Sequence, residues 1–370
     1  MKYTKILRKK SNQRMIRNVL LFLGLIFLTF WFIFKDQDIN ELLNILRSVD
    51  KKYVLIGVLL MLCYYLMESF NVKRVLKALG DKTISIFSAL KFTFIGFFFS
   101  AITPAATGGQ PVEVYYMTKE KISGANATMA LLIQLCGFQI STLTIGLLCA
   151  IFSPNLLSNG LIWFFILGFS INFIALVLML TCIFSKNITK RLSNFFLRIL
   201  KRFKVKNVDI FKKKIDEGIE QYNDSSIFIK SHKIEFFKAV FRVFIQIIIY
   251  YSIPFCIYKA FGLSGYSFID VFAMQAVLYT MVSGLPLPGA IGVSETIFLR
   301  IFGIAFGEKL LNGAMLLSRG VSFYLYVVIS LIIVIINAVT KKHVYGEIDN
   351  GAIQIEKQLD EISQNGIQVI

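Results

Sequence analysis

The sequence predicts an all-α polytopic membrane protein with about six full spans and two oppositely entering re-entrant hairpins, arranged as an inverted repeat. Three observations carry that expectation. Hydrophobic residues make up 56% of the 370 and mean hydropathy is +0.67, against roughly 45–50% apolar residues in soluble domains. The excess falls in blocks at 19–34, 53–70, 127–152, 161–184, 239–262 and 314–338, each near or above the roughly 17–25 residues of a spanning helix. Lys and Arg gather beside the spans, and two Pro/Gly interruptions share one spacing.

The charge balance is 40 Lys and Arg against 22 Asp and Glu, a formal net +18. The basic residues cluster in 1–17, 73–91 and 186–238, where they flank spans. That pattern fits cytoplasmic loops facing anionic lipid and argues against a nucleic-acid partner. Cys63, Cys136, Cys149, Cys182 and Cys256 all sit in apolar segments, where they read as small buried hydrophobes. His232 and His343 are far apart, so no metal site, cofactor or catalytic triad is expected.

Residues 1–18 hold seven basic and no acidic residues and are expected in the cytoplasm. The block at 19–34 has no small-x-small cleavage site and reads as a retained first span. In 35–52, Ile39, Leu42, Leu43 and Leu46 form the i, i+3, i+4, i+7 stripe of a helix in the outer interface. The second span returns inside. Residues 71–88 then read as a basic interfacial helix, with Val72, Val75, Leu76 and Leu79 on one side and Lys73, Arg74 and Lys77 on the other.

The apolar stretch 89–102 is too short to span, at roughly 21 Å of helix against a ~30 Å hydrocarbon core. It ends at Thr103-Pro-Ala-Ala-Thr-Gly-Gly-Gln-Pro-Val-Glu113, where proline lacks an amide hydrogen and glycine costs backbone entropy. Such backbone survives at membrane depth only where protein or a wet cavity satisfies it. If 127–152 goes out and 161–184 returns, the 14 basic residues of 185–238 lie inside, provided that 89–126 enters from the cytoplasm and goes back. The same parity makes 268–306 a hairpin entering from outside, broken at Leu285-Pro-Leu-Pro-Gly-Ala-Ile-Gly-Val-Ser-Glu295.

Pro104 and Glu113 stand nine residues apart, as do Pro286 and Glu295, and each break holds a second proline. With opposite sides of entry, this is the pattern of an inverted repeat. The expected divisions are a basic N-terminus 1–18, a first membrane half 19–184 containing the hairpin 89–126, and a cytoplasmic loop 185–238. A second half 239–340 with the hairpin 268–306 and a cytoplasmic tail 341–370 complete the chain.

Glu113 and Glu295 would each cost ~2.5–3.5 kcal/mol if exposed at mid-bilayer. Each fits position N3 of the helix after its break, with Gln110 or Gly292 as N-cap, where it would bond an orphan amide. Contact with substrate or a proton is the other reading. Arginine matches phosphate bidentately, so Arg300 and Arg319 are candidate headgroup partners, with an internal ion pair or snorkelling as alternatives. The candidate headgroup contacts are therefore Thr107, Gly108, Gly109, Gln110 and Glu113 at the first break, Gly289, Gly292, Ser294 and Glu295 at the second, and the two arginines. No catalytic residue or metal ligand stands out. Glu68 and Arg242 either pair or reach water; Gln134, Gln139, Asn172, Gln246 and Gln275 are expected to bond neighbouring helices, and the paired tyrosines to form interfacial belts or packing.

At Pro104-Ala-Ala-Thr-Gly-Gly-Gln-Pro-Val-Glu113 and Leu285-Pro-Leu-Pro-Gly-Ala-Ile-Gly-Val-Ser-Glu295 the sequence resembles the lysylphosphatidylglycerol synthase transmembrane region family, over about residues 15–340. This is the flippase-like membrane part of the bacterial multiple peptide resistance factor. The family often has Gly-Gly after the second proline, where this chain has Gly289-Ala290. The resemblance implies a multi-pass protein of the bacterial cytoplasmic membrane that moves phospholipid, such as aminoacylated phosphatidylglycerol, or glycolipid between leaflets, in a setting of antibiotic resistance. Its alternative is a phosphatidylglycerol lysyltransferase, or a membrane subunit or scaffold for a separate lipid-modifying synthase. In full-length relatives a C-terminal domain transfers lysine from tRNA, and 341–370 is expected to be too short for it. Both termini are expected inside, and an oligomer is compatible.

Overall fold

The computed structural model describes residues 24, 39–81, 84–103, 106–158, 160–184, 227, 229–285 and 288–337. The expected first span at 19–34 (Gly24 apart), most of the basic loop 185–238 and the tail 341–370 lie outside these residues. The described residues form α1 (Ile39–Ser48), α2 (Lys51–Ala78), α3 (Ile86–Ala101), α4 (Gly109–Lys119), α5 (Gly124–Phe152), α6 (Leu161–Phe184), α7 (Lys233–Ala260), α8 (Phe268–Val282) and α9 (Val293–Arg319). Past Arg319 the chain continues through a π-helical turn, Gly320–Tyr324, to Asn337. No strand occurs among the described residues.

The chain is an all-α polytopic membrane protein. Its α2, α5, α6, α7 and the run Val293–Asn337 are long and apolar enough to cross a membrane, whereas α3 and α8 are apolar but short. Leu55, Leu59, Ile151, Trp163, Phe173, Ile174, Ile332 and Ile336 stand exposed along the long helices, as expected of surfaces solvated by lipid tails.

The axis of the fold is the pair α2 and α7, each of 28 residues. They run antiparallel: the Asp50 amide at the start of α2 donates to the Ala260 carbonyl at the end of α7, at 2.9 Å. Because α3 follows the end of α2 and α8 follows the end of α7, the two hairpins enter the bundle from opposite ends. Their tips meet, with Phe98, Ala101 and Ile102 of the first packed in one cluster with Ile291 of the second and with Phe323. The second hairpin's return arm ends at Gly307, whose φ of 67° and ψ of 162° interrupt the helix before the last crossing.

One expectation changes. The basic interfacial helix at 71–88 is not separate, because α2 runs unbroken to Ala78, roughly 42 Å from its start. Its stripe Val72, Val75 and Leu76 is covered by Ile84, Phe92, Met117 and Ala127 of the first hairpin and α5, so bundle packing takes the place of the lipid interface. Of the two readings of the paired tyrosines, packing holds for four of them. Tyr64, Tyr65, Tyr250 and Tyr251 join Tyr279 and Tyr326 in a ring-to-ring seam between the halves, with centroids 4.9–5.8 Å apart. Cys63 is exposed, while Cys136 and Cys256 are buried.

Broken backbone at the tips is satisfied by neighbours, as its depth requires. In the first tip, the Thr103 hydroxyl donates to the Phe99 carbonyl at 2.6 Å and accepts from the Gly108 amide at 2.9 Å. In the second, Asn172 of α6 donates to the Thr280 carbonyl (3.3 Å) and to the Ser283 hydroxyl (3.0 Å) at the end of α8.

Candidate functional site

The second break builds a closed polar knot. Glu295 is fully buried and takes N3 of α9 as its sequence position suggests. Its Oε2 accepts from the Gly292 amide at 2.7 Å and from the Ser294 hydroxyl at 2.9 Å. Its Oε1 accepts from Arg319 Nε at 2.8 Å and from the Tyr324 hydroxyl at 3.3 Å. Capping and an internal ion pair therefore coexist on one carboxylate.

Arg319 ties this knot to the loop. Its Nη2 donates to the Gly289 carbonyl at 3.0 Å, and its guanidinium lies 4.5 Å from the Phe323 ring centroid and 5.7 Å from that of Tyr324. One edge of the fork is thus spent on Glu295 and Gly289. Arginine carries five N–H donors, of which Glu295 and Gly289 take two, and the side chain keeps 13% of its surface exposed. Tyr279 of the seam lies within electrostatic reach of both Arg319 and Glu68.

The first break is built differently. Its helix begins at Gly109 with Gly108 as N-cap, two residues before the expected cap Gln110, and this displaces Glu113 from N3 to N5. Glu113 therefore does not cap. It is 5% exposed, and its Oε1 has no hydrogen-bond partner among the described residues. Its carboxyl lies against α3 at Gly96, where a Cβ would stand 2.6 Å from Oε2. Gly109 crosses the same face, and a Cβ there would collide with Ser100 Oγ and lie 2.7 Å from the Gly96 carbonyl. The Gly108-Gly109 pair thus serves close packing of the hairpin arms. Thr107 is exposed and Gln110 half-buried at the tip.

The inequality of the two glutamates has a packing cause. Arg319 follows Glu295 by 24 residues, and the same step from Glu113 leads to Gly137. A Cβ at Gly137 would meet Val243 Cγ2 at 2.9 Å, because α5 crosses α7 there. No cation can grow from that position.

Arg300 is exposed and lines a cavity of about 330 Å³ with Asn155, Leu156, Ser158, Leu161, Ile301 and Ile304. It is brought to the turn between α5 and α6 and does not join Glu295. Glu68 and Arg242 do not pair directly. Arg242 Nε donates to Asn71 Oδ1 (2.7 Å), Asn71 Nδ2 to Gln134 Oε1 (2.6 Å), Gln134 Nε2 to Gln246 Oε1 (2.8 Å) and Gln246 Nε2 to Glu68 Oε2 (3.2 Å). Asn71 escaped notice in the sequence because it stands next to a basic run; its apolar neighbours Phe70 and Val72 are the signal that marks it as buried.

Both breaks hold an alanine in left-handed backbone, Ala106 at φ 54° and Ala290 at φ 51°. That region disfavours a Cβ by roughly 1–2 kcal/mol. Ala290→Gly is accordingly expected to raise stability by about 1 kcal/mol or less, once the looser unfolded chain is counted; thermal unfolding in detergent reads it, and a lower melting temperature would contradict the strain.

A family model described as the lysylphosphatidylglycerol synthase TM region matches residues 18–330. A UPF0104 membrane protein of Archaeoglobus fulgidus is 21% identical over 275 residues, which cover 71% of this chain and 80% of that protein.

Proposed function

The chain belongs to the lysylphosphatidylglycerol synthase TM region family, and on that premise we propose that it moves an anionic membrane lipid between leaflets. The observation that carries this reading is Arg319, a guanidinium anchored by Glu295 and Gly289 on one edge and able to take a phosphate on the other. It stands where the tip of one hairpin meets the tip of the other. A headgroup phosphate would dock there while its acyl chains stay in the lipid. Opposed movement of the two hairpins would open the site to either side, as broken helices of inverted repeats do.

The substrate in this reading is a phospholipid, such as aminoacylated phosphatidylglycerol, or a glycolipid. The membrane is the bacterial cytoplasmic membrane, with both termini and the basic stretch 185–238 inside. A separately encoded lipid-modifying synthase is a fitting partner.

The test is leaflet exchange of acyl-labelled phosphatidylglycerol in vesicles, followed by chemical quenching of the outer leaflet. Reconstituted protein is expected to expose the inner-leaflet label many times faster than empty vesicles. No acceleration, together with lysyl transfer from charged tRNA, would replace this reading with the transferase one.

A further inference from the structure

We propose that Glu113 is a proton-exchange site that couples lipid movement to a transmembrane proton gradient, with Glu68 as its fixed neighbour. This rests on the translocator reading for its function, but the site itself rests on geometry. Glu113 is 5% exposed, its Oε1 has no partner among the described residues, and its Oε2 is pressed on Gly96. An uncompensated carboxylate buried in this way is strongly disfavoured, because it has given up its hydration and gained no partner. Something positive must join it for the packing to hold.

The identity of that species follows from the surroundings. A hard metal cation takes about six or more oxygen ligands, and this site offers one unpartnered oxygen. Among the charged groups of the packed elements, Lys91 of α3 is engaged by Glu120; Lys119 of α4 lies over the Tyr115 ring at 5.4 Å; α5 has no charged residue. Glu68 of α2 is within electrostatic reach of Glu113 and adds negative charge. A proton needs only one oxygen.

The chain from Arg242 sets Glu68 apart from Glu113, because it gives Glu68 a donor that Glu113 Oε1 lacks among the described residues. An arginine only donates and a carboxylate only accepts, so each amide between them must accept on one side and donate on the other. Asn71, Gln134 and Gln246 do so in one unbroken direction. Glu68 is thereby the accepting end of a relay that starts at Arg242 and runs through α2, α5 and α7, and aligned bonds of this kind strengthen one another. The Tyr65 hydroxyl, buried and also without a partner among the described residues, lies within electrostatic reach of Glu68. The step itself is simple: Glu113 carboxylate binds one proton when the hairpin faces one side and releases it to the other, with no other bond made or broken.

Two arms test this on the reconstituted full chain. Infrared difference spectra between acidic and alkaline buffer should show the carbonyl stretch of a protonated carboxyl that disappears in Glu113→Gln, persists in Glu68→Gln and shifts in Glu113→Asp. In the second arm, an imposed pH gradient should drive labelled phosphatidylglycerol in the wild type to an uneven leaflet distribution, severalfold in favour of one side, and leave Glu113→Gln even. A band that survives in Glu113→Gln, or no band at all, overturns the proton site whatever the lipid does. A Glu113-dependent band without any lipid movement leaves the proton site standing and sinks the translocator reading. An even distribution in a wild type that does exchange lipid, or one driven by sodium alone, overturns the coupling. Should Glu113→Gln fail to fold, Glu113→Asp decides, since a shifted band still assigns the proton to this residue.

Discussion

Arg319→Ala is expected to abolish acceleration of lipid exchange and to lower unfolding free energy by about 3–5 kcal/mol, the usual cost of leaving a buried charge without its partner. The stranded group is Glu295, which has no exposed surface and loses its Nε donor, while Gly289 loses the hydrogen bond that holds the tip. Stability alone would not separate a structural knot from a binding site. The pair Glu295→Gln with Arg319→Leu does, because removing both charges removes the stranded carboxylate. Thermal unfolding of the double variant should recover most of the loss, and lipid exchange should not. Arg319→Lys is expected to stay inactive, since a single ammonium cannot span Glu295 and Gly289 and still present an open edge. Full exchange by the double variant would make the pair a device of folding only.

Gly168→Val is expected to have the second largest effect, on folding and not on chemistry. A Cβ at Gly168 would stand 2.6 Å from the Met281 carbonyl and 2.7 Å from its Cα, with the Thr280 carbonyl closer still. These are backbone atoms of α8 and cannot swing aside. Overpacking of a core typically costs ~1–3 kcal/mol, and a clash with backbone belongs at the upper end or beyond it. One turn on, Asn172 bonds the Thr280 carbonyl and the Ser283 hydroxyl, so a displaced α6 also frees the hairpin tip. Asn172→Leu, which keeps the crossing and loses only the donor, should cost about 1–3 kcal/mol. Melting of the purified variants in detergent measures both, and a wild-type melting temperature for Gly168→Val would contradict the crossing.

The hairpins were legible in the sequence because length is a hard constraint: 89–102 is too short to cross, and loop charge then leaves one parity. Glu295 was legible as a cap for a similar reason, since N3 is fixed by where a helix begins after Gly292. Glu113 was not, because the same logic placed its N-cap at Gln110 when the chain turns earlier, at Gly108-Gly109, to let α4 press against Gly96 and Ser100. That shift depends on Gly109 facing Gly96, and Gly108 facing Phe99 and Thr103, which local spacing does not encode. The amide chain was legible only as a list of polar residues on three helices; its order depends on the antiparallel register of α2 and α7. Arg300 and Arg319 look alike as intramembrane cations, and only the kink at Gly307 sends one to the α5–α6 turn and the other to Glu295.

The central claim, that the two hairpin tips must move against each other for lipid to pass, is open to one direct measurement. In a chain freed of its five cysteines, Ile102→Cys and Ile291→Cys place thiols in the cluster where the tips meet. Bridging them with the shortest thiol cross-linker that reacts should stop exchange of labelled phosphatidylglycerol, and cleaving the linker should restore it. Unchanged exchange with the tips bridged would contradict the account.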